Sequence, residues 1–207
     1  MHVAIPLYPR FTALDAVGPY TVLAFAPGHT VTFVAGRTGP VPDDHGTLTI
    51  NATATYADLP APDVIVVPGG SGTFDALADE ALVSWIGQAH EHTRWTTSVC
   101  SGSLLLGAAG LLDGVPATSH WALLDALKQY GAEPTAERVV SSGKIVTGAG
   151  VSAGIDMALA LLSRSSDVET AQTVQLLIEY DPQPPFDCGS AKNASQDMMA
   201  RALSLLP

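Results

Sequence analysis

Short apolar runs alternate with longer amphipathic stretches along this chain. Two runs are continuously apolar and end at turn residues: HVAIPLY (2–8) and DVIVVPGG (63–70). Such runs are typical of strands that are buried on both faces of a parallel sheet. Two stretches have helical spacing: LDAVGPYTVLAFAPG (14–28) and FDALADEALVSWIGQAHEH (74–92). The order strand, helix, strand, helix predicts an α/β fold with a doubly wound, mostly parallel sheet and helices on both faces.

Two further stretches predict β-hairpins at an edge of the sheet or as a flap. They are TLTINATATY (47–56), which alternates at period 2, and ERVVSSGKIVTGAG (137–150), which has two β-rich runs around a Ser-Gly turn. Beyond them the sequence is mostly helical, and a Pro-rich loop, DPQPPFDCGS (181–190), precedes a last helix that ends near Leu206. Because no repeat or linker divides the chain, we expect a single domain over residues 1–207.

The composition limits the partners of the protein. Of its 207 residues, 47% are hydrophobic, which suffices for the core of one domain. Lys and Arg number 9 against 20 Asp and Glu, and the net charge of −11 repels phosphate backbones and anionic lipid headgroups. The start of the chain lacks the pattern of a secretory signal, and the longest apolar stretch, LLLGAAGLL (104–112), is far shorter than the roughly 20 residues that span a bilayer. We therefore expect a cytoplasmic protein that binds neither nucleic acid nor membranes.

Cys100 lies where a β-rich run meets a run of small and apolar residues. If RWTTSV (94–99) is a strand and SGSLLLGAAG (101–110) a helix, Cys100 occupies a sharp strand-to-helix turn, a nucleophile elbow, where Gly102 lets the backbone pass closely. A helix N-terminus stabilises a thiolate and can lower a thiol pKa from about 8.5 to between roughly 3.5 and 7.5. The alternative is that Cys100 is a small buried hydrophobe.

Other candidate residues also follow strand ends, where open α/β sheets bind their ligands. The glycines after DVIVV expose backbone N–H groups, including those of Gly70 and Ser71, either as an oxyanion hole or as a plain turn. Asp15 is either an N-cap of the first helix or a carboxyl group that shares a proton with the thiol. His120 is a general acid or base, or a loop histidine. Because the remaining histidines show no ligand spacing, we expect no metal.

Five motifs follow one another over nearly the whole chain: LDAVGP, VVPGG, VCSGSLLLGAAGLLDGVPATSHW, GAGVSAGIDMALAL and LIEYDPQPPFDCGS. Together they resemble the ThiJ/PfpI superfamily, which has a class I glutamine-amidotransferase-like, flavodoxin-type fold. Within it the sequence most resembles the isonitrile hydratases, and also the ligand-type domains of certain AraC-type regulators. The hydratases use a cysteine, an Asp of the first helix and a hydroxyl residue after the cysteine, which match Cys100, Asp15 and Ser101. That hydroxyl residue is typically threonine, whereas the family's peptidases place a histidine there, so Ser101 counts against proteolysis.

The resemblance implies a lyase that hydrates an isonitrile to an N-substituted formamide through Cys100, without a metal or organic cofactor. Asp15 would deliver the proton, and Gly70, Ser71 and Ser101 would orient the small-molecule substrate or water. The resemblance also implies a homodimer. Two alternatives stay open: an enzyme of the glyoxalase or deglycase type that acts on small dicarbonyls, in which His120 assists the cysteine, and a redox sensor or ligand-binding domain in which Cys100 is oxidised to the sulfinate.

Overall fold

The computed structural model describes residues 1–205 and has a seven-stranded sheet at its centre. The strands are β1 His2–Pro6, β2 Thr30–Ala35, β3 Gly39–Pro42, β4 Thr49–Ala52, β5 Ala54–Thr55, β6 Val64–Val67, β7 Trp95–Val99, β8 Pro116–Ala117, β9 Glu133–Pro134, β10 Val139–Ser142 and β11 Ile145–Gly148. The helices are α1 Ala13–Ala24, α2 Thr73–Ala76, α3 Glu80–His92, α4 Gly102–Ala108, α5 Ala153–Ser165, α6 Val168–Leu177 and α7 Gln196–Leu203, and a 3₁₀ helix covers Trp121–Tyr130. This alternation confirms the predicted α/β fold.

The topology of the sheet locates the ligand-binding crevice. The strand order is β10-β11-β7-β6-β1-β2-β5, and every neighbouring pair is parallel except β10 with β11. The chain moves from β1 to β2 in one direction and from β6 through β7 to β11 in the other. Right-handed crossovers in opposite directions place α1 and α3 on opposite faces, so the sheet is doubly wound. The direction reverses between β1 and β6, and the crevice lies at the carboxyl ends of these strands.

The strands at this crevice are buried along their whole length. All four residues of β6 are buried, and so are the last four of β1. On one face α1 packs against α5, which packs against α6, and on the other face α4 packs against α3 and the 3₁₀ helix. Continuous burial under two helical layers explains why both strands have unbroken apolar sequences.

The structure confirms one predicted hairpin and corrects the other. β10 and β11 form an antiparallel hairpin that turns at Gly143, where φ is +56°, and β11 extends the sheet beside β7. The stretch 47–56 instead forms two strands with different partners. β4 pairs antiparallel with β3 in a separate small sheet, whereas β5 pairs parallel with β2. β3 contains Pro40 and Pro42 and was not predicted, because proline weakens the sequence pattern of a strand.

The C-terminal part of the described chain is helical, as predicted. α7 begins after Ser195, whose hydroxyl group accepts the Met198 N–H and caps the helix. The predicted end of this helix near Leu206 lies outside the described residues. None of the helices in residues 1–205 is both long and apolar enough to cross a membrane.

Candidate active site

The strand-to-helix turn predicted at Cys100 is present. Cys100 lies between β7 and α4 and has a left-handed backbone conformation, with φ of +59°. Its N–H donates to the carbonyl oxygens of Gly148, at 3.1 Å, and Ala149, at 2.9 Å, which tie the turn to the end of β11. A Cβ at Gly102 would lie 2.1 Å from the Val67 carbonyl oxygen, so the first turn of α4 can approach β6 only with glycine at this position.

Asp15 is a fully buried carboxyl group in the first turn of α1. It is not the N-cap, because Thr12 occupies that position. Its Oδ2 accepts the Gly69 N–H at 2.9 Å, whereas Oδ1 has no hydrogen-bond partner within residues 1–205. Burial raises the pKa of Asp15 from 3.8 to about 7, and the charge of Asp44 contributes to the increase. The Gly69 N–H and the Cys100 thiol act in the opposite direction. The thiol is thus close enough to affect the carboxyl group, without a hydrogen bond of standard geometry to Oδ1.

The Cys100 thiol is also buried, and burial raises its pKa. The neighbouring Asp15 raises this pKa further, whereas the N–H groups of Val151 and Ser101 lower it by a smaller amount. The net direction is opposite to the lowering expected from the helix N-terminus, because the loss of hydration outweighs the N–H groups. The resting cysteine is therefore a thiol, and it needs a proton acceptor before it can attack.

The two N–H groups predicted to orient a substrate are engaged within the protein. Gly70 N–H donates to Ser101 Oγ at 3.0 Å, and Ser71 N–H donates to Asp44 Oδ1 at 2.8 Å. Gly70 has φ of +149°, and a Cβ there would lie 2.4 Å from the Arg10 carbonyl oxygen. The structure thus joins Gly70 directly to Ser101 at the elbow. Direct binding of a substrate by the N–H of Gly70 or Ser71 stays a prediction, and it would require release of the present acceptor.

His120 lies on the wall of a cavity of about 380 Å³ beside the elbow. Its Nδ1 accepts the Ala122 N–H at 3.3 Å, so the ring proton is on Nε2, and burial lowers its pKa. The neighbouring Ser119 donates to the Cys100 carbonyl at 3.0 Å, and the cavity also borders residues 149–152, which support the elbow. A role for His120 in the chemistry stays a prediction. Within residues 1–205, no three His, Cys, Asp or Glu side chains are grouped so that they could hold a metal ion.

Four residues of the site were not predicted from the sequence. Two of them are Thr73, whose hydroxyl group is hydrogen-bonded to that of Ser101, and Tyr8, whose hydroxyl group is hydrogen-bonded to that of Thr73. Tyr8 is the last residue of the apolar run HVAIPLY and lies two residues after β1, and this position at a strand end is a signal that could have identified it. Asp44 reaches the site from the loop between β3 and β4, and Val151, with φ of +40°, presents its N–H to the thiol. Neither Asp44 nor Val151 has a recognisable sequence signal.

Comparison with known proteins shows the family of this chain. The sequence matches the DJ-1/PfpI family over residues 1–164. The chain belongs to the DJ-1/PfpI family. It is 45% identical over 202 residues to the isonitrile hydratase of Pseudomonas putida, and the match covers 98% of this chain and 88% of that enzyme. These matches confirm the predicted family.

This DJ-1/PfpI chain is also similar to a solved structure and to part of a longer regulator. A crystal structure of a ThiJ/PfpI family protein from Pseudomonas syringae has a TM-score of 0.94 and 41% identity, and the match covers 99% of this chain and 85% of that protein. It confirms the predicted flavodoxin-like fold. The HTH-type transcriptional regulator CdhR of Pseudomonas aeruginosa is 30% identical over 138 residues, a match that covers 66% of this chain and 40% of the regulator.

Proposed function

We propose that this DJ-1/PfpI protein is a lyase that hydrates an isonitrile to an N-substituted formamide, with Cys100 as the nucleophile. One observation carries the proposal: a buried carboxyl group, whose Oδ1 has no hydrogen-bond partner within residues 1–205, lies beside the thiol of a nucleophile elbow. The terminal carbon of an isonitrile needs both a nucleophile and a proton, and this pair supplies both. The 45% identity to an isonitrile hydratase over 98% of the chain supports the same reaction.

The pair is suited to hold one proton between its two members. Asp15 Oδ2 accepts the Gly69 N–H, which leaves Oδ1 as the oxygen that takes up and releases the proton. With a pKa of about 7, Asp15 exchanges a proton readily near neutral pH. The raised pKa of the Cys100 thiol keeps the proton on sulfur until a substrate arrives. The productive state is therefore a neutral thiol next to a carboxylate.

In the first step the Cys100 sulfur attacks the terminal carbon of the isonitrile, R–N≡C. The thiol proton passes to Asp15 Oδ1 as the C–S bond forms, and Asp15 then delivers this proton to the same carbon. The product is a thioimidate, R–N=CH–S–Cys100, in which sulfur and hydrogen have both added to the terminal carbon. The step needs no external oxidant or reductant, and Asp15 returns to the carboxylate form.

In the second step water adds to the carbon of the thioimidate. Asp15 accepts a proton from the attacking water, and the substrate nitrogen gains a proton, which gives R–NH–CH(OH)–S–Cys100. The C–S bond then breaks, the oxygen loses its proton to form the carbonyl group, and the sulfur is protonated. The formamide, R–NH–CHO, then leaves. It carries the oxygen of the water as its carbonyl oxygen and one hydrogen on its nitrogen, and the thiol is restored.

The substituent R would extend into the cavity that Val151 lines, because the Val151 N–H lies against the thiol; Cys100 and Asp15 do not themselves line this cavity. A volume of about 380 Å³ accommodates a ring of six carbons, and Trp121 and Leu124 give part of the wall an apolar surface. The homodimer that the family resemblance implies and the cytoplasmic location expected from the sequence belong to the same proposal. Size-exclusion chromatography with light scattering would test the homodimer, and a monomer at micromolar concentration would contradict it.

The reaction can be tested with cyclohexyl isocyanide and the purified protein, with formamide measured by chromatography. We expect formamide from the wild type, none above background from Cys100→Ala, and a reduction of at least roughly a hundredfold in kcat for Asp15→Asn. Cys188→Ala is the matched control for loss of a thiol, because Cys188 belongs to the Pro-rich loop and does not itself line the cavity, although residues 189–192 do. It should stay within about twofold of the wild-type activity. Formamide production that survives Cys100→Ala would contradict the proposal.

The alternative reaction on dicarbonyls has one supporting observation, the Nε2–H of His120 on the cavity wall. Conversion of methylglyoxal to lactate by the wild type, lost in both Cys100→Ala and His120→Gln, would favour it over hydration. Selective oxidation of Cys100 by peroxide, without turnover of either substrate, would favour the redox-sensor alternative.

A further inference from the structure

Three buried hydroxyl groups form a row that leads from the elbow into the protein interior. Ser101 Oγ lies 2.7 Å from Thr73 Oγ1, which lies 3.0 Å from the hydroxyl oxygen of Tyr8. The Tyr8 hydroxyl donates to the Pro68 carbonyl oxygen at 2.8 Å. None of the three side chains belongs to a residue more than 4% exposed. Ser101 was predicted to orient the substrate or water, whereas neither Thr73 nor Tyr8 takes part in the steps proposed above.

The direction of every hydrogen bond in this row follows from its end. A carbonyl oxygen can only accept, so Tyr8 donates its single proton to Pro68. Thr73 must then donate to Tyr8, and Ser101 must donate to Thr73. Burial raises the pKa of Tyr8 well above its usual range, which keeps this donor protonated. Two other acceptors lie near the Ser101 proton: the Gly70 carbonyl oxygen, and the Cys100 sulfur, whose pKa the Ser101 side chain lowers. The carbonyl, at 3.5 Å, is too distant to compete with Thr73 at 2.7 Å, and the sulfur of a neutral thiol is a weak acceptor.

We propose that Tyr8 and Thr73 are positioning residues that hold the Ser101 proton away from the reacting groups, so that Ser101 serves the site as a hydrogen-bond acceptor. The inference rests on the proposed hydratase function. One lone pair of Ser101 Oγ accepts the Gly70 N–H, and the other remains for one O–H of the attacking water. The second O–H of that water faces Asp15. A water molecule that donates to two acceptors presents its oxygen lone pair to the thioimidate carbon.

Substitutions along the row should change kcat in a direction that identifies the role of Ser101. Tyr8→Phe removes the donor to Pro68 and lets Thr73 donate to Ser101 instead, which turns the Ser101 proton outward. If Ser101 is an acceptor, kcat for cyclohexyl isocyanide should fall roughly tenfold while KM changes less than about threefold, because water rather than substrate loses its position. If Ser101 were a donor to the substrate, Tyr8→Phe would leave kcat unchanged or raise it, and the inference would be wrong.

Thr73 provides a second, conservative test. Thr73→Val removes the acceptor of the Ser101 proton and should lower kcat by roughly ten- to a hundredfold, whereas Thr73→Ser should restore at least half of the wild-type value. Thr97→Val is the matched control, since Thr97 is equally buried in β7 and its hydroxyl group donates to the Ile65 carbonyl, away from the row. It should stay within about twofold of the wild type. Equal losses in Thr73→Ser and Thr73→Val would show that only packing matters at this position.

A measurement that does not involve a substrate separates this inference from the proposed function. Neutron diffraction from crystals of the perdeuterated wild type would locate the deuterium of each hydroxyl group. We expect the Ser101 deuterium on the line to Thr73 Oγ1, and the Tyr8 deuterium on the line to the Pro68 oxygen. Deuterium on Ser101 that points to Gly70 O or to the Cys100 sulfur would overturn the inference. If the wild type forms no formamide, the proposed function fails, whereas the nuclear density still shows which hydroxyl group donates in each hydrogen bond of the row.

Discussion

The raised pKa of Asp15 predicts that ionisation of this single group destabilises the folded protein. The carboxyl group has a pKa of about 7 when folded and 3.8 when unperturbed, so the folded state binds the proton more tightly. The stability that the protonated Asp15 carboxyl group preserves is complete below pH 3.8 and is lost as the pH rises through 7. At about 1.4 kcal/mol per pKa unit, the full loss is about 4 kcal/mol above pH 8.

Asp15→Asn isolates this effect, because Asn has nearly the same shape, can accept the Gly69 N–H and does not titrate. The free energy of unfolding of the wild type should therefore fall relative to that of Asp15→Asn as the pH rises. The difference should grow by about 2 kcal/mol between pH 5.5 and 8, and most of this change should occur below pH 7, where the unfolded chain is ionised and the folded protein still binds the proton.

Urea unfolding followed by tryptophan fluorescence would measure both proteins across this range, at fixed protein concentration and ionic strength. The range stays above the isoelectric point of about 4.6, near which the protein is least soluble. Asp58→Asn is the control, since Asp58 is exposed and hydrogen bonds from Thr55 lower its pKa below 3.8, so it stays ionised throughout this range. Its difference from the wild type should be nearly independent of pH. If the difference for Asp15→Asn is also flat within about 0.5 kcal/mol, the folded pKa of Asp15 is not raised, and the proton-sharing pair loses its physical basis.

Two further substitutions test the environment of the pair. Asp44→Asn removes a negative charge that raises the pKa of Asp15, so the acid limb of kcat/KM against pH, expected near 7 because activity requires the Asp15 carboxylate, should move to lower pH by roughly 0.5 to 1 pH unit. An unmoved limb would show that Asp44 does not act on this group. Gly102→Ala places a Cβ 2.1 Å from the Val67 carbonyl oxygen and should destabilise the protein by about 3 kcal/mol or prevent folding, as thermal unfolding would show. A melting temperature equal to that of the wild type would contradict the tight packing of the elbow.

The central strands could be predicted because their signals are local, whereas pairing at the edge could not. β6 is buried on both faces and therefore has an unbroken apolar sequence between Asp63 and Pro68. The partner of β4 is β3, which precedes it along the chain and carries prolines that only an edge position tolerates. The period-2 pattern of residues 47–56 shows that strands form there, but it contains no information on which strand lies opposite.

The same distinction applies to the site. Cys100 and Asp15 could be predicted together because a doubly wound sheet brings the ends of β7 and β1 to one crevice. Asp44 could not, since it reaches Ser71 only through the unpredicted pairing of β3 with β4. The upward shift of the Cys100 pKa could not be predicted from the sequence either. The helix N-terminus is a local feature, whereas the burial of Cys100 depends on the packing of the whole domain.

The engaged N–H groups of the glycine loop bear on which chemistry the site favours. Gly69 donates to Asp15 and accepts from the Thr12 N–H, and Gly70 and Ser71 donate to Ser101 and Asp44. The loop therefore holds the carboxyl group against the elbow instead of presenting donors to a substrate oxygen. Acyl transfer needs such donors for an oxyanion, but addition of a thiol to an isonitrile forms no oxyanion and instead needs a proton at carbon. A site built around a thiol and a carboxyl group that share one proton meets the second requirement and not the first.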